Sequence, residues 1–192
     1  MQFIDLKSQY KELKEQIDTN IHKVLDHGQY IMGPEVLELE EKFASYVGVK
    51  HCITAASGTD ALIMALLAHG IGSGDFVITS PFTFIATAEA IKIVGATPIF
   101  VDIDPVTFNM DPVKLEETLR TIELGTDRRH KHLITDISKI KAVMTVDLFG
   151  LPAAYREIKE VTDKYGLLII EDAAQGFGGR DQRHQQCRQH EA

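Results

Sequence analysis

The sequence predicts an α/β fold built on a mainly parallel sheet, and two observations lead to this prediction. From His51 onward, short apolar segments alternate with amphipathic ones, as in parallel strands joined by crossover helices. Gly70, Gly95 and Gly166 stand where three of these helices should end. Such a sheet binds ligands at the carboxyl ends of its strands, so the residues that follow each strand are the candidates for function.

The elements follow in order along the chain. Apolar residues recur at helical spacing before Gly28 and again between Pro34 and Gly48, which predicts two opening helices. Five strands are predicted at residues 52–55, 76–79, 99–103, 142–146 and 167–170. The intervening helices are predicted at residues 60–69, 86–94, 112–121 and 153–165.

The amino-acid composition argues against membrane-spanning and nucleic-acid-binding classes of protein. The 192 residues are 44% hydrophobic and 25% charged, with a net charge of −8. No apolar run approaches the roughly 18 residues of a membrane helix, and the acidic balance favours neither a membrane nor a nucleic-acid partner. The first residues lack the pattern of a signal peptide, so a cytoplasmic location is expected. Two cysteines, Cys52 and Cys187, give no disulfide framework.

Residues 124–139 interrupt the alternation with a charged segment that runs from Asp127 to His132. A basic patch for phosphate is one interpretation. A solvated surface loop is favoured, because the segment has no interleaved aromatic residues.

The turn Ser57-Gly58-Thr59-Asp60 joins the first predicted strand to an apolar helix. Unpaired backbone N–H groups and the positive end of the helix dipole would face an anion there, which suits a phosphate. A simple helix cap is the commoner explanation of such a turn.

Two aromatic residues, Phe82 and Phe84, follow the second predicted strand. Either ring could stack on a flat ligand, although burial beneath the next helix is the more usual role of such residues.

Asp172 ends the last predicted strand after a buried apolar run, and Gln175 follows three residues later. A carboxylate at this place either caps the next segment or meets a cationic partner such as a protonated ring nitrogen. Gln175 could hydrogen-bond the same ligand, while a surface glutamine is the default reading.

Taken together, Ser57-Gly58-Thr59, Phe84 and the segment from Glu171 to Gln175 resemble the sugar-nucleotide aminotransferases of the DegT/DnrJ/StrS family. The resemblance begins at Phe3-Ile4-Asp5-Leu6 and reaches about Gly179. It implies the three-layer α/β/α large domain of fold-type I pyridoxal-phosphate enzymes, present in part. Residues 1–180 would form this domain, residues 181–192 an unstructured tail outside the family pattern, and the small C-terminal domain would be absent.

The resemblance also implies a role for each site residue. Gly58 and Thr59, with Asp60, would hold the phosphate of pyridoxal 5'-phosphate, and Phe84 would stack on its ring. Asp172 would pair with the ring nitrogen and Gln175 with the 3-hydroxyl group. The partners implied are a nucleotide-linked keto sugar and an amino donor such as L-glutamate, in amino-sugar and cell-surface polysaccharide biosynthesis, with a homodimer as the assembly.

The chain departs from the family pattern after Gly179, and no lysine follows Lys164. The family's lysine, to which the cofactor is covalently attached, would therefore be missing, no catalytic residue is assigned, and the chain is expected to be inactive. Lys164 is expected to be a surface lysine of a helix. His184, Cys187 and His190 have a spacing that could suit a metal, but without a fourth ligand no metal site is predicted.

The missing segment has a structural consequence. In the family topology the first strand lies beside the last, so the strand at 52–55 would lose its partner and the strand at 167–170 would have an open apolar edge. Marginal stability and aggregation are therefore expected.

Two other functions remain open from the sequence. One is a non-catalytic α/β module that binds another phosphate, such as that of a nucleotide, at Ser57-Gly58-Thr59. The other is a fragment of one of the family's dehydratases, which use the same cofactor without the lysine.

Overall fold

Six α-helices and four strands lie in the part of the chain that the computed structural model describes, which is residues 4–130, 134 and 136–179. The chain separates into two units, Met1–Thr54 and Ala55–Ala192. No helix among the described residues is both long and apolar enough to cross a membrane.

The first unit contains the two opening helices, α1 (Leu6–His27) and α2 (Pro34–Val47). Asp5 caps α1 by accepting a hydrogen bond from the Ser8 backbone N–H, and Gly28 ends the helix in the left-handed conformation. Pro34 occupies the first turn of α2, where a proline costs no hydrogen bond. The imidazole of His27 lies 3.1 Å from the Glu35 carboxylate, which links the two helices.

The second unit contains a four-stranded sheet in the order β2-β1-β3-β4, with every neighbouring pair parallel. Its strands are β1 (Phe76–Thr79), β2 (Thr97–Phe100), β3 (Ile140–Val146) and β4 (Leu168–Asp172). Its helices are α3 (Gly58–Ala68), α4 (Ile85–Ile93), α5 (Pro112–Glu123) and α6 (Tyr155–Tyr165). A single crossover helix between β1 and β2 and another between β3 and β4 keep these strands parallel.

Side chains alternate between the two faces of the sheet and form two separate cores. On one face, Met144 and Ile170 pack with residues of α3 and α4 such as Leu66 and Ile91. On the other face, Ile99 and Val143 pack with residues of α5 and α6, including Leu119 and Ile158. The sheet is therefore covered by helices on both sides, and the predicted three-layer α/β/α arrangement is confirmed in this unit.

The prediction of a strand at residues 52–55 is wrong. These residues form no strand. The Thr54 backbone N–H, which a ladder would use, instead donates to the Glu40 carboxylate at 2.8 Å, and the Thr54 hydroxyl donates to the same oxygen at 2.9 Å. An apolar run without a neighbouring strand cannot make a ladder, and here a side chain satisfies the backbone donor instead.

The other element boundaries differ from the predictions by a few residues. Strand β2, predicted at residues 99–103, begins two residues earlier than predicted because Thr97 pairs with Phe76, and it ends at Phe100. The last helix begins at Tyr155 instead of residue 153, because the Ala153 N–H donates to the Asp147 carboxylate at 2.9 Å outside the helix. Such shifts are ordinary at element ends.

Two described residues of the charged segment at 124–139, Asp127 and Ile134, are buried. The Asp127 side chain is 8% exposed, and its carboxylate contacts the His130 imidazole at 2.6 Å and accepts the Arg129 N–H at 2.8 Å. Ile134 is buried in the core beside α5 and α6. The surface-loop prediction is therefore wrong for Asp127 and Ile134, which are buried, whereas Arg128 and Arg129 are exposed as the prediction requires.

Candidate functional site

The four parallel strands end at the same edge of the sheet, and the loops that follow them meet there. Helices α3 and α4 lead into the amino ends of β1 and β2, so their N-termini lie at the carboxyl edge. This edge carries the unpaired N–H groups of two helices together with the polar residues that follow β4.

Asp172 is the last residue of β4 and is 8% exposed. Strand alternation places its side chain on the same face as Ile170, beneath α3 and α4. Its Oδ2 accepts a hydrogen bond from the Thr87 hydroxyl at 2.8 Å, and its Oδ1 accepts the Ala174 backbone N–H at 3.3 Å. Both oxygens have a donor and both retain acceptor capacity, so this carboxylate can receive a further donor from a ligand.

Phe84 is the N-cap residue of α4, and its side chain is 70% exposed. Thr87, in the first turn of the same helix, is fully buried and touches Asp172. One short segment therefore carries an exposed aromatic ring and a direct contact to the carboxylate.

Gln175 contacts the loop that follows β3. Its Oε1 accepts the Phe149 backbone N–H at 2.7 Å, which fixes the orientation of the amide because only the oxygen can accept this bond. The amide NH₂ group is then the part of Gln175 that can donate to a ligand.

Three phenylalanines form a cluster at this edge, one from each of the loops after β1, β2 and β3. The ring centroid of Phe82 lies 5.8 Å from that of Phe108 and 6.4 Å from that of Phe149, and the centroids of Phe108 and Phe149 are 6.1 Å apart. Phe108 and Phe149 have φ angles of 62° and 57°, in the left-handed region that non-glycine residues seldom adopt. Asn109 stabilises this arrangement, since its amide donates to the Leu151 carbonyl and accepts the Leu148 N–H.

Asp147 connects the loops after β3 and β4 beneath the surface. Its buried carboxylate accepts the Tyr155 hydroxyl at 2.7 Å and the Ala153 N–H at 2.9 Å. Burial, with the nearby charges of Glu171 and Asp147, raises the pKa of the Tyr155 phenol. A Cβ on Gly176 would lie 2.7 Å from Asp147, so only glycine lets the loop after β4 approach this closely.

The turn Ser57-Gly58-Thr59-Asp60, which the sequence suggests as a phosphate site, forms the N-terminus of α3. Ser57 is the N-cap, and its hydroxyl both accepts the Asp60 N–H at 3.1 Å and donates to the Asp60 carboxylate at 2.8 Å. Asp60 therefore serves the cap. Gly58 and Thr59 occupy the first two positions of the helix, whose N–H groups have no partner within a helix.

The backbone conformation and the surroundings of Gly58 bear on whether a phosphate fits at this turn. Its φ is not positive, and a Cβ built on it meets no atom within 4 Å. Neither the backbone conformation nor packing among the described residues requires glycine at this position. A ligand that approaches the backbone closely does favour it.

Lys164 lies away from this edge. It is in the last turn of α6, just before Gly166 and the amino end of β4, and its ammonium group pairs with Glu116 of α5 at 2.5 Å. The expectation of a surface lysine is confirmed. The described residues contain no group of three or more His, Cys, Asp or Glu side chains that could hold a metal. His184, Cys187 and His190 lie outside the described residues.

The structure thus brings Asp172, Gln175 and the Phe84 segment to the edge where the sequence placed them, together with the N-terminus of α3. Sequence reasoning missed several residues of this edge, among them Thr83, Thr87, Phe149 and Asp147. Thr83 precedes α4 and Thr87 lies in its first turn, and their separation of four residues was the only local signal for that pair. Asp147, an acidic residue directly after a buried strand, carried the same signal as Asp172.

Comparison with known proteins identifies the family. The model of the DegT/DnrJ/EryC1/StrS aminotransferase family matches residues 11–191. The UDP-2-acetamido-2-deoxy-3-oxo-D-glucuronate aminotransferase of Pseudomonas aeruginosa is 44% identical over 187 residues, which are 97% of this chain and 47% of that protein. The chain thus spans about half the length of the curated relatives it matches.

Solved structures agree with the sequence match. A DegT DnrJ EryC1 StrS aminotransferase from Brucella abortus superposes with a TM-score of 0.82 and 46% identity, over 93% of this chain and 45% of that one. NtdA from Bacillus subtilis, solved with its cofactor PMP, gives a TM-score of 0.75 and 33% identity, over 87% and 34% of the two chains. The architecture is that of the fold-type I aminotransferases, and the chain belongs to the DegT/DnrJ/EryC1/StrS aminotransferase family.

Proposed function

We propose that this chain supplies the cofactor-holding part of a pyridoxal-phosphate-dependent aminotransferase that acts on nucleotide-linked keto sugars. Membership in the family and the sugar-nucleotide substrate in the name of the Pseudomonas relative support the reaction and substrate class. L-glutamate is the proposed amino donor and a homodimer the proposed assembly. The resulting amino sugars would serve cell-surface polysaccharide biosynthesis.

The buried Asp172 carboxylate is the observation that carries this proposal. A carboxylate at the carboxyl edge, with Thr87 and Ala174 as donors, matches the partner that a protonated pyridine nitrogen requires. When bound, pyridoxal phosphate supplies an electron sink for charge that develops beside an amino nitrogen. Asp172 would hold a proton on the ring nitrogen, which strengthens that sink.

The phosphate, the ring face and the ring oxygen of the cofactor would each meet a different residue of this edge. Gly58 and Thr59 would donate backbone N–H groups to the phosphate, and Asp60, through its bonds to Ser57, would hold the turn in shape. Phe84 would cover one face of the ring, because it is exposed on the helix that also carries Thr87. Gln175 would donate its NH₂ group to the oxygen on the ring.

No covalent bond is proposed between the cofactor and residues 1–192. No lysine follows Asp172 in the sequence, and Lys164 is paired with Glu116 at the other end of β4. We propose that these residues bind the cofactor without a covalent link and do not complete a transamination by themselves.

The test is a titration of the purified 192-residue chain with pyridoxal phosphate, followed by cofactor absorbance and by mass spectrometry after borohydride reduction. Asp172→Ala is the diagnostic variant. Asp163→Ala, which removes an exposed carboxylate of α6, is the matched control. Circular dichroism establishes that each variant is folded.

We expect saturable binding by the unchanged chain and by Asp163→Ala, a loss of at least about tenfold in affinity for Asp172→Ala, and no reduced adduct. A folded chain that does not bind, or that binds equally well without Asp172, contradicts the proposed cofactor site. A stoichiometric adduct at one lysine contradicts the absence of the covalent link.

A further inference from the structure

The contact between Thr87 and Asp172 joins two residues that are 85 positions apart in the sequence. Thr87 is fully buried, in the first turn of α4, and its hydroxyl lies 2.8 Å from Asp172 Oδ2. The Thr83 hydroxyl lies 2.9 Å from that of Thr87. These three side chains form a continuous line of hydrogen bonds that ends at the carboxylate.

The direction of these bonds follows from a count of protons. An ionised carboxylate only accepts, so the Thr87 hydroxyl must donate its single proton to Asp172. Thr87 then has no proton left for Thr83, and Thr83 must be the donor in the pair between them. Each bond points toward Asp172, and a chain of bonds with one direction strengthens each member.

We propose that Thr87, assisted by Thr83, is a positioning residue that orients the Asp172 carboxylate and keeps the proton on the ring nitrogen of a bound cofactor. The inference rests on the proposed function, in which Asp172 is the partner of that nitrogen. It adds a role for two residues that have no predicted contact with the cofactor.

Two physical effects support the role. The hydrogen bonds from Thr87 and Ala174 hold one oxygen each, so the carboxylate plane cannot rotate freely. A hydrogen bond donated to the charged form of a carboxylate also favours that form, so a proton shared with a ring nitrogen stays on the nitrogen. Without the Thr87 hydroxyl, the carboxylate becomes a stronger competitor for the proton.

The experiment uses the full 192-residue chain and pyridoxamine phosphate labelled with ¹⁵N at the ring nitrogen. The dissociation constant and the ¹⁵N chemical shift of the bound ring are measured, because the shift separates a protonated nitrogen from a neutral one. Thr87→Val removes the hydroxyl and keeps the branched shape, whereas Thr87→Ser keeps the hydroxyl. Thr83→Val removes the first donor at a half-buried position outside the core clusters.

We expect Thr87→Val to bind about tenfold more weakly and to move the nitrogen signal toward the neutral form. Thr87→Ser should restore both properties to within about threefold of the unchanged chain, and Thr83→Val should move the signal in the same direction by less. If Thr87→Val does not fold, Thr83→Val and Thr87→Ser still give this comparison.

The inference is overturned if Thr87→Val gives the same ¹⁵N chemical shift as the unchanged chain. If Thr87→Val does not fold, the same result for a folded Thr83→Val overturns it. It is also overturned if Thr87→Ser behaves like Thr87→Val, since packing would then explain the effect. Failure of the unchanged chain to bind overturns the proposed function and this inference together. If Asp172→Ala weakens binding but neither threonine variant changes the affinity or the ¹⁵N chemical shift, this inference alone is overturned.

Discussion

At the residue scale, Asp172 and Phe84 differ in what their removal does to the fold. Asp172 is buried and accepts two hydrogen bonds, so its loss leaves the Thr87 hydroxyl without its acceptor and affects stability as well as binding. The Phe84 ring is 70% exposed and contributes little buried area. A change at Phe84 therefore tests ligand binding without a large effect on folding.

Phe84→Leu should weaken pyridoxal phosphate binding by about five- to tenfold, because a leucine cannot stack on the pyridine ring. Binding of inorganic phosphate should stay unchanged, since the N–H groups of α3 are untouched. Phe100→Leu, at a partly exposed position of β2, is the control. Isothermal titration with each ligand measures both effects. Unchanged binding of both ligands would favour the module that binds another phosphate, whereas equal losses for both would indicate a general disturbance of this edge.

The residues of this edge differed in how readily the sequence revealed them. Asp172 was predictable, because an acidic residue directly after a buried apolar run is costly unless it has a role. Thr87 was not predictable, because a threonine within an apolar helix is unremarkable until its partner in β4 is known. The left-handed conformation of Phe149 also depends on contacts between separate loops, which local sequence does not contain.

At the scale of elements, the loops after β3 and β4 approach each other most closely at Gly176. A Cβ at this position would lie 2.7 Å from both the Cβ and the Oδ2 of Asp147. Asp147 cannot move aside easily, because Tyr155 and Ala153 hold its other oxygen. Gln175, the adjacent residue, depends on this approach for its bond to Phe149.

Gly176→Ala should therefore lower the free energy of unfolding by about 1–3 kcal/mol, as overpacking of a tight contact does. Gly72→Ala is the matched control, because its φ is not positive and its nearest contact is the Val94 carbonyl at 3.4 Å. Urea denaturation of the three proteins gives the comparison. Equal midpoints for the two variants would show that the loop after β4 adjusts without cost.

The segment between α5 and β3 should respond to acid through Asp127. Burial raises the pKa of the Asp127 carboxyl, but the hydrogen bonds from His130 and from the Arg129 backbone outweigh burial and place the pKa below its ordinary value of 3.8. A carboxyl whose pKa is lowered by folding stabilises the native state above its ordinary pKa. That contribution is lost as the pH falls through the folded pKa.

Asp127→Asn should consequently flatten the decline in unfolding free energy between about pH 5 and pH 3, because one carboxyl no longer takes up a proton on unfolding. The variant should be less stable than the unchanged chain at neutral pH, and the difference should shrink as the pH falls. Urea denaturation at a series of pH values measures this. Curves that stay parallel over the whole range would contradict a role for Asp127 in acid unfolding.

Sequence periodicity predicted most elements but failed where an element depends on a distant partner. The strands at the centre of the sheet were predicted because burial on both faces makes them continuously apolar. The strand at 52–55 was not formed, because an apolar run becomes a strand only beside another strand, and Glu40 accepts the Thr54 N–H instead. The contact between the Asp127 carboxylate and the His130 imidazole was not predictable either, since the charged residues alone suggested a solvated loop.

At the scale of the whole molecule, the sheet has β2 at one edge and β4 at the other. Among the described residues, no strand pairs with the outer side of β4. An open edge with apolar side chains is a template for pairing with another chain. Leu168, the first residue of β4, is partly exposed on this strand.

Leu168→Lys should therefore slow aggregation of the purified chain, because a charge on an edge strand disfavours pairing between edges. Leu124→Lys makes the same chemical change at an exposed position that follows α5 and belongs to no strand, and it controls for net charge. Light scattering at matched concentrations, with a denaturation curve for each protein, measures the effect. If both variants slow aggregation equally, net charge explains the result. If only Leu168→Lys does so, the open edge of β4 is the surface through which the chains associate.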